Sequence, residues 1–430
     1  MLDIRYIREN ADRVKEFTTQ KNYSADIDEL LRLDEKRRNL TGRADELRAE
    51  RNATNPKGER PTPEQIENGK RLKEEIATID TQLKTIDDDY LTILKKVPNI
   101  PEPDVPVGAS EDENIVAKEV GEPTKFTFTP QTHYALGEAR GWIDKERASK
   151  VAGSRFAYIK GDLVKLQLAI VQFVIDTLSD EAKLKEIIDG AGLTVSPKPF
   201  IPVLPPLMIR TDLYDAMDRL EPRDDRYKLE GDDLWLQGSA EHVLGSMHAD
   251  EIFAEADLPV RYLGYATSFR REAGTYGKDT EGILRMHQFD KLEMESFTIK
   301  EQGRDEHFLF VAIQEYLLSA LGLPYRVIQK CTADIGKPNA RGIDMETWMP
   351  GQDTYRETHT ADYMSDYQAR RLQTRVRRDD GTVELIHTND ATAFALGRIM
   401  IAIIENFQTE DGHVVVPDVL RPYIAGRETL

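Results

Sequence analysis

Between residues 27 and 97 the apolar positions advance in alternating steps of three and four. The first series is Leu30, Leu33, Arg37, Leu40, Ala44, Leu47 and Arg51. The second is Leu72, Ile76, Ile79, Leu83, Ile86, Tyr90 and Ile93. Each forms a narrow stripe, the seam of a two-stranded coiled coil. Residues 52–61 between them are rich in helix breakers and polar groups. Two helix starts are legible: Asp26 with Glu29, and Thr62 with Gln65, both at capping-box spacing, the second with Pro63 at the first helical position. The pattern predicts an antiparallel helical hairpin, an arm about 40 Å long at 1.5 Å per residue. It buries little beyond its own seam and is expected to project. Pro98, Pro101, Pro103 and Pro106 then stop the helix and favour an extended linker.

Beyond residue 105 the pattern is mixed. A long helix is predicted over 163–187 and a buried helix over 391–408. Short β-type runs occur at 234–236, 262–269, 292–298, 325–329, 344–349 and 383–388. Strands at irregular spacing, without strict helix alternation, predict an α+β fold with an antiparallel sheet flanked by helices. No P-loop and no GxGxxG turn is present, so any nucleotide is held by other means.

Composition narrows the picture. A chain of 430 residues suggests two or three domains. A net charge of −19 argues against a protein that coats nucleic acid non-specifically. The arm is a local exception: Arg48, Arg51, Lys57, Arg60, Lys70, Arg71 and Lys73 gather toward its turn. Alone, such a run reads as a solvated face or a dimerisation arm. No run of about 18 apolar residues suggests a membrane span. The opening residues lack a signal core and read as an amphipathic helix. The single cysteine, Cys331, rules out an internal disulfide and a multi-cysteine zinc site; it reads as buried and structural. A reducing cytoplasm is the natural setting.

The densest chemistry lies between Thr267 and Glu293. Phe269-Arg270-Arg271-Glu272 ends one β-type run, and Arg285-Met286-His287-Gln288-Phe289 leads into the next. Gly274, Gly277 and Gly282 lie between them. A strand–loop–strand can aim these groups at one nucleotide: arginine forks onto phosphate, phenylalanine stacks on a purine, and glutamate holds an amine. Farther on, Arg398 sits inside an apolar helical run and requires an anionic or aromatic partner. Glu405, two helical turns away, is a poor candidate.

These residues resemble motif 2 and motif 3 of class II aminoacyl-tRNA synthetases, and the wording is similar to the seryl-tRNA synthetases. The resemblance covers nearly the whole chain. It implies an N-terminal tRNA-binding domain, 1–104, whose arm grips tRNA through the basic residues named above, and a catalytic domain, 105–430. It implies ATP-dependent activation of L-serine and transfer to the 3′ end of tRNA-Ser, with the selenocysteine tRNA as a further substrate. By the match, Arg270 meets the α-phosphate and the substrate carboxylate. Glu272 reads either the adenine amino group or the tRNA end, with Arg271 between them. Arg285, beside Met286, meets the distal phosphates, Phe289 stacks on adenine, and Arg398 packs on the nucleotide.

Arg356-Glu357-Thr358-His359-Thr360 is similar to a family signature in which Glu357 holds Mg²⁺ and Thr360 replaces a serine. Thr358 and His359 fall in the same nucleotide set, although His359 alone reads as structural. Ser239-Ala240-Glu241 resembles the element that binds the serine amino group. Glu293 matches the acceptor for the serine hydroxyl, and Thr392 a further substrate contact. Just before Thr392 the chain departs from the family: Asp390 stands at an asparagine position and Asn389 precedes it. An added carboxylate there either tightens amino-group binding or reshapes the pocket. Pro205 is the candidate motif 1 proline at a homodimer interface. Two alternatives share the resemblance, a paralogue that charges a carrier protein and a non-catalytic tRNA binder. The intact arm argues against the first, and the presence of Arg270, Glu357 and Arg398 against the second.

Overall fold

A computed structural model describes residues 1–54, 62–273 and 281–430. The chain divides into two compact units, Met1–Ile100 and Pro101–Leu430.

The first unit is helical: α1 (Ile4–Glu9), α2 (Ala11–Gln20), α3 (Ile27–Ala53) and α4 (Pro63–Leu94). The predicted caps form. Asp26 accepts from Glu29 N at 2.9 Å. Thr62 and Gln65 exchange both bonds of a capping box, ahead of Pro63. Ala44, Leu47, Leu72, Ile76 and Ile79 bury the seam between α3 and α4, with Leu40 and Leu83 packed against them. Arg37 occupies a seam position by pairing with Asp87 and laying its guanidinium 5.1 Å from the Tyr90 ring centre. Near the end of α4, Leu94 is buried and Ile93 only half-buried. A straight 3.6-residue helix drifts off a 3.5-residue stripe, so the buried position shifts by one.

Of the basic residues on the arm, Lys70, Arg71 and Lys73 are exposed and Arg51 is half-buried. Arg48 is engaged by Asp45 at 3.0 Å and Asp80 at 2.7 Å. Lys57 and Arg60 lie outside the described residues.

The second unit is built on an eight-stranded sheet. Its strands are β1 (Ile115–Val120), β2 (Ile201–Val203), β3 (Val260–Phe269), β4 (Gln288–Thr298), β5 (Tyr325–Gln329), β6 (Arg341–Met349), β7 (Thr354–Ser365) and β8 (His387–Ala395). Their order is β1-β5-β6-β7-β8-β4-β3-β2. Every junction is antiparallel except β2 with β3, which is parallel. The helices that pack on the sheet or its edge include α5 (Asp162–Leu178), α6 (Gly303–Ala320) and α7 (Leu396–Asn406).

Alternation along the central strands gives the sheet two unlike faces. Leu292, Met294, Ile343, Met345, Ala361, Ala391 and Ala393 point into the main core beside Phe310, Ile313 and Leu317 of α6. The intervening residues are Lys291, Glu293, Glu295, Asp344, Thr360, Asp362, Asp390 and Thr392. Arg261 of β3 ties the sheet to α6. It forks onto Glu306 at 2.8 and 2.5 Å, and its other nitrogen donates to Ser196 O and Lys198 O.

Three boundaries differ from the sequence pattern. The helix predicted over 163–187 is two helices, because Asp180 caps a new start at Ala182 and Lys183. The run predicted as helix from 391 remains strand to Ala395, and α7 begins at Leu396. A continuous apolar run does not distinguish a buried strand from a buried helix. The run 383–388 divides between two sheets: Val383–Leu385 joins a small sheet, and His387 opens β8. Among the described residues, no helix is long and apolar enough to cross a membrane.

Leu72→Ala should cost about 2–5 kcal/mol within the hairpin. Amide exchange should rise across α3 and α4 and stay unchanged in β4, β7 and β8; a uniform rise would contradict the division into two units.

Candidate active site

The charged face of the sheet floors a cavity of about 310 Å³. Strand β3 leads directly into Arg270, and β4 brings Phe289 back opposite Ser268. Arg270 Nε donates to Gly238 O at 2.9 Å, and its guanidinium lies 5.3 Å from the Phe289 ring centre. Glu272 has φ 53°, a left-handed conformation disfavoured for a residue with a side chain. Its carboxylate meets Arg285 at 3.2 Å. Arg270, Glu272, Arg285, Met286 and Phe289 all line the cavity. Arg271 does not: it lies 5.6 Å from the Tyr227 ring centre and faces a neighbouring cavity. Gly274 and Gly277 lie outside the described residues. Gly282 has φ +64°, and a Cβ there would fall 1.9 Å from His133 Nε2, so only glycine fits. The Ile283 amide donates to that nitrogen, while Glu405 holds His133 Nδ1 at 2.9 Å. This chain anchors the segment that carries Arg285.

Glu357 and Arg398 meet in the same cavity. Arg398 Nη1 donates to Glu357 O at 2.7 Å and to its carboxylate at 3.0 Å. The partner that the apolar helix demanded is therefore Glu357, and Glu405 is engaged by His133. Glu357 is 53% exposed because the cavity is open above it. The surrounding protein pushes its pKa up, but Arg398, Lys330 and Arg270 outweigh this and hold it below the ordinary value. Thr358 and Thr360 line the cavity, and Thr360 donates to Asp344. His359 does not reach it. Its ring packs 5.2 Å from Phe394, its Nδ1 meets Thr358 Oγ1, and burial pushes its pKa down to about 3. The strand turns it to the core face, where it is a neutral structural residue, and the nucleotide role expected for it does not fit this placement.

At the other end, Glu241, Lys291, Glu293, Asp390 and Thr392 converge. Lys291 pairs with Glu293, lies 3.9 Å from Glu241, and donates to Ser239 Oγ at 2.9 Å. Burial lowers the Lys291 pKa, but Glu293 and Glu241 raise it further, so the ammonium stays charged. Burial raises Glu241, but Lys291, His242 and Arg219 overcome it and keep the carboxylate ionised. Ser239 and Ala240 do not line the cavity, and both are fully buried.

Several lining residues escaped the sequence reading: Arg219, Lys291, Lys330 and Asp362. A signal for some of them was present. Phe289, Lys291, Glu293 and Glu295 alternate along β4 and share one face, as do Asp390 and Thr392 on β8. Charged residues at period two inside apolar strands mark a buried polar face. Arg219 and Lys330 come from distant segments and have no such signal.

Two family models match the chain. One, described as the seryl-tRNA synthetase N-terminal domain, covers residues 1–101. The other, the tRNA synthetase class II core domain (G, H, P, S and T), covers residues 226–407. A serine--tRNA ligase from Syntrophotalea carbinolica is 37% identical over 437 residues, covering 100% of both chains. Seryl-tRNA synthetase from Pyrococcus horikoshii, solved in complex with ATP, is 34% identical with a TM-score of 0.88, over 100% of this chain and 99% of that one. The cytoplasmic serine-tRNA ligase of Naegleria fowleri, solved with AMP, is 27% identical with a TM-score of 0.84, over 100% and 98%. With an arm and a sheet of this kind, and relatives matched from end to end, the chain belongs to the seryl-tRNA synthetase family.

Proposed function

We propose that this protein activates L-serine with ATP and transfers the seryl group to the 3′ end of tRNA-Ser. One observation carries the reading: a single cavity joins an arginine–glutamate–phenylalanine set to a buried carboxylate set along one sheet face. In the first step a serine carboxylate oxygen attacks the α-phosphorus and pyrophosphate leaves. In the second, a terminal ribose hydroxyl of tRNA attacks the acyl carbon and AMP leaves. Arg270 stands between the two sets, where it can hold the α-phosphate and the substrate carboxylate together. Arg285 and Arg398 offer further cations for phosphate, and Phe289 a face for adenine. Glu241 takes the substrate ammonium. Glu293 and Thr392, paired across β4 and β8, take the hydroxyl.

The residues fit a magnesium ion carried by phosphate. Among the described residues, no group of three acidic, histidine or cysteine side chains could hold a metal alone. Glu357 supplies one cavity-facing carboxylate, and the remaining ligands of a Mg²⁺ would be phosphate oxygens and water. When bound, the ion neutralises charge on the phosphates.

The arm, with Lys70, Arg71 and Lys73 exposed, is the proposed tRNA contact, and residues 1–104 the tRNA-binding domain. A homodimer is proposed at the β2 edge, where Ile201, Leu204, Leu207 and Met208 are exposed around Pro205. The working compartment is the cytoplasm. The end-to-end match with serine--tRNA ligases does not favour a carrier-charging or non-catalytic paralogue.

ATP–pyrophosphate exchange without tRNA should proceed with serine and fail with alanine and glycine, which leave a buried acceptor unpaired. Arg270→Ala should lower that exchange about 100-fold or more at saturating serine. An effect confined to the KM for tRNA would contradict its placement. Deleting residues 30 to 95 should abolish tRNA charging and leave exchange nearly intact; equal loss of both would refute the assignment of the arm.

A further inference from the structure

The charged face is ordered along its strands. On β4, Phe289, Lys291, Glu293 and Glu295 follow one another on the same side, each about 7 Å from the next. Phe289 lies at the nucleotide end, and Glu293, opposite Thr392, at the proposed hydroxyl position. One step farther, Glu295 stands opposite Asp390, and Asp390 opposite Asp362. This row of three carboxylates is buried, at 0%, 2% and 6% exposure. Like charges directly across strands repel one another.

Arg219 answers that repulsion. It arrives from the segment after the short helix Thr211–Ala216 and reaches over the row. Its Nη2 lies 3.1 Å from Asp390 Oδ2 and 3.9 Å from Asp362 Oδ2. Burial lowers its pKa, but Asp390, Asp362 and Glu241 more than reverse this, so it stays charged. Arg219, Asp362 and Asp390 all line the cavity. They stand beyond Glu293 and Thr392, away from the nucleotide set. A substrate side chain longer or more apolar than hydroxymethyl would press on a desolvated ion pair.

We propose that Arg219, paired with Asp390, forms the end wall of the amino-acid pocket and determines its specificity for serine over threonine. Arg219 is a positioning residue and touches no reacting atom. Its guanidinium fixes Asp390 and closes the space behind the substrate hydroxyl. The departure at Asp390 and the presence of Arg219 are then one feature, a charge added to the floor together with its counter-charge. The inference rests on the serine-activation reading.

A double-mutant cycle read by ATP–pyrophosphate exchange tests it. Arg219→Gln and Asp390→Asn should each raise the serine KM about tenfold or more and leave the ATP KM unchanged, because each upsets the charge balance of the buried cluster that Arg219 forms with Asp390 and Asp362. The Arg219→Gln/Asp390→Asn pair, neutral and nearly isosteric, should return to within about threefold of the wild type. Truncating the wall with Arg219→Ala/Asp390→Ala should raise the threonine-to-serine ratio of kcat/KM about tenfold or more. Additive losses in the neutral pair, parallel changes in the serine and ATP KM, or an unchanged threonine ratio would each overturn the proposal. Normal serine exchange in the wild type with any of these outcomes removes this inference alone. No serine exchange in the wild type removes the functional reading and the inference together.

Discussion

A carboxylate placed inside a folded sheet loses its hydration, and only a cation or a proton can make good the loss. The catalytic unit is organised around that constraint. Its central strands carry an apolar face toward α6 and a charged face toward the cavity. Lys291 answers Glu293 and Glu241, Lys330 answers Asp344, and Arg219 answers Asp390 and Asp362. Glu295 has no hydrogen-bond partner on either oxygen among the described residues. Burial, with Asp390 and Glu241 nearby, pushes its pKa well up, so it settles the account by keeping its proton.

Buried ion pairs of this kind are weak sources of stability. Their value here is positional. Each pair orients a donor or an acceptor toward the cavity before any substrate arrives, which is the condition for electrostatic catalysis. Asp344 and Asp390 show the cost. Burial raises both to about 7, although Lys330 pulls on the first and Arg219 on the second. The face is held close to the limit of what its cations can neutralise.

A second set of buried polar contacts aligns the elements around this face. Arg261 spends its donors on Glu306, Ser196 and Lys198, binding β3 to α6. Glu405 of α7 accepts from His133 and from Gly351 N at 3.0 Å, and His133 in turn receives Ile283 N. Through these links the helix that carries Arg398 and the segment that carries Arg285 share one anchor. The cavity is therefore set by packing on its far side as much as by the residues that line it.

The local features of this protein were written in its sequence. The three-and-four stripe, the caps at Asp26 and Thr62, and the linker prolines describe a hairpin whose seam repeats at one short period along each of two helices. The Arg270–Phe289 strand–loop–strand was legible for the same reason, since its groups lie close along the chain. Family resemblance supplied the roles that periodicity cannot. What required the tertiary structure was every pairing across distance. Arg398 finds Glu357 and not Glu405, His359 turns into the core while its neighbours face the cavity, and Arg219 meets Asp390 from 171 residues away. Strand register decides which charges stand opposite one another, and loop path decides which cation reaches them. Neither follows from local spacing, because both are settled only when the sheet closes and the buried charges must balance.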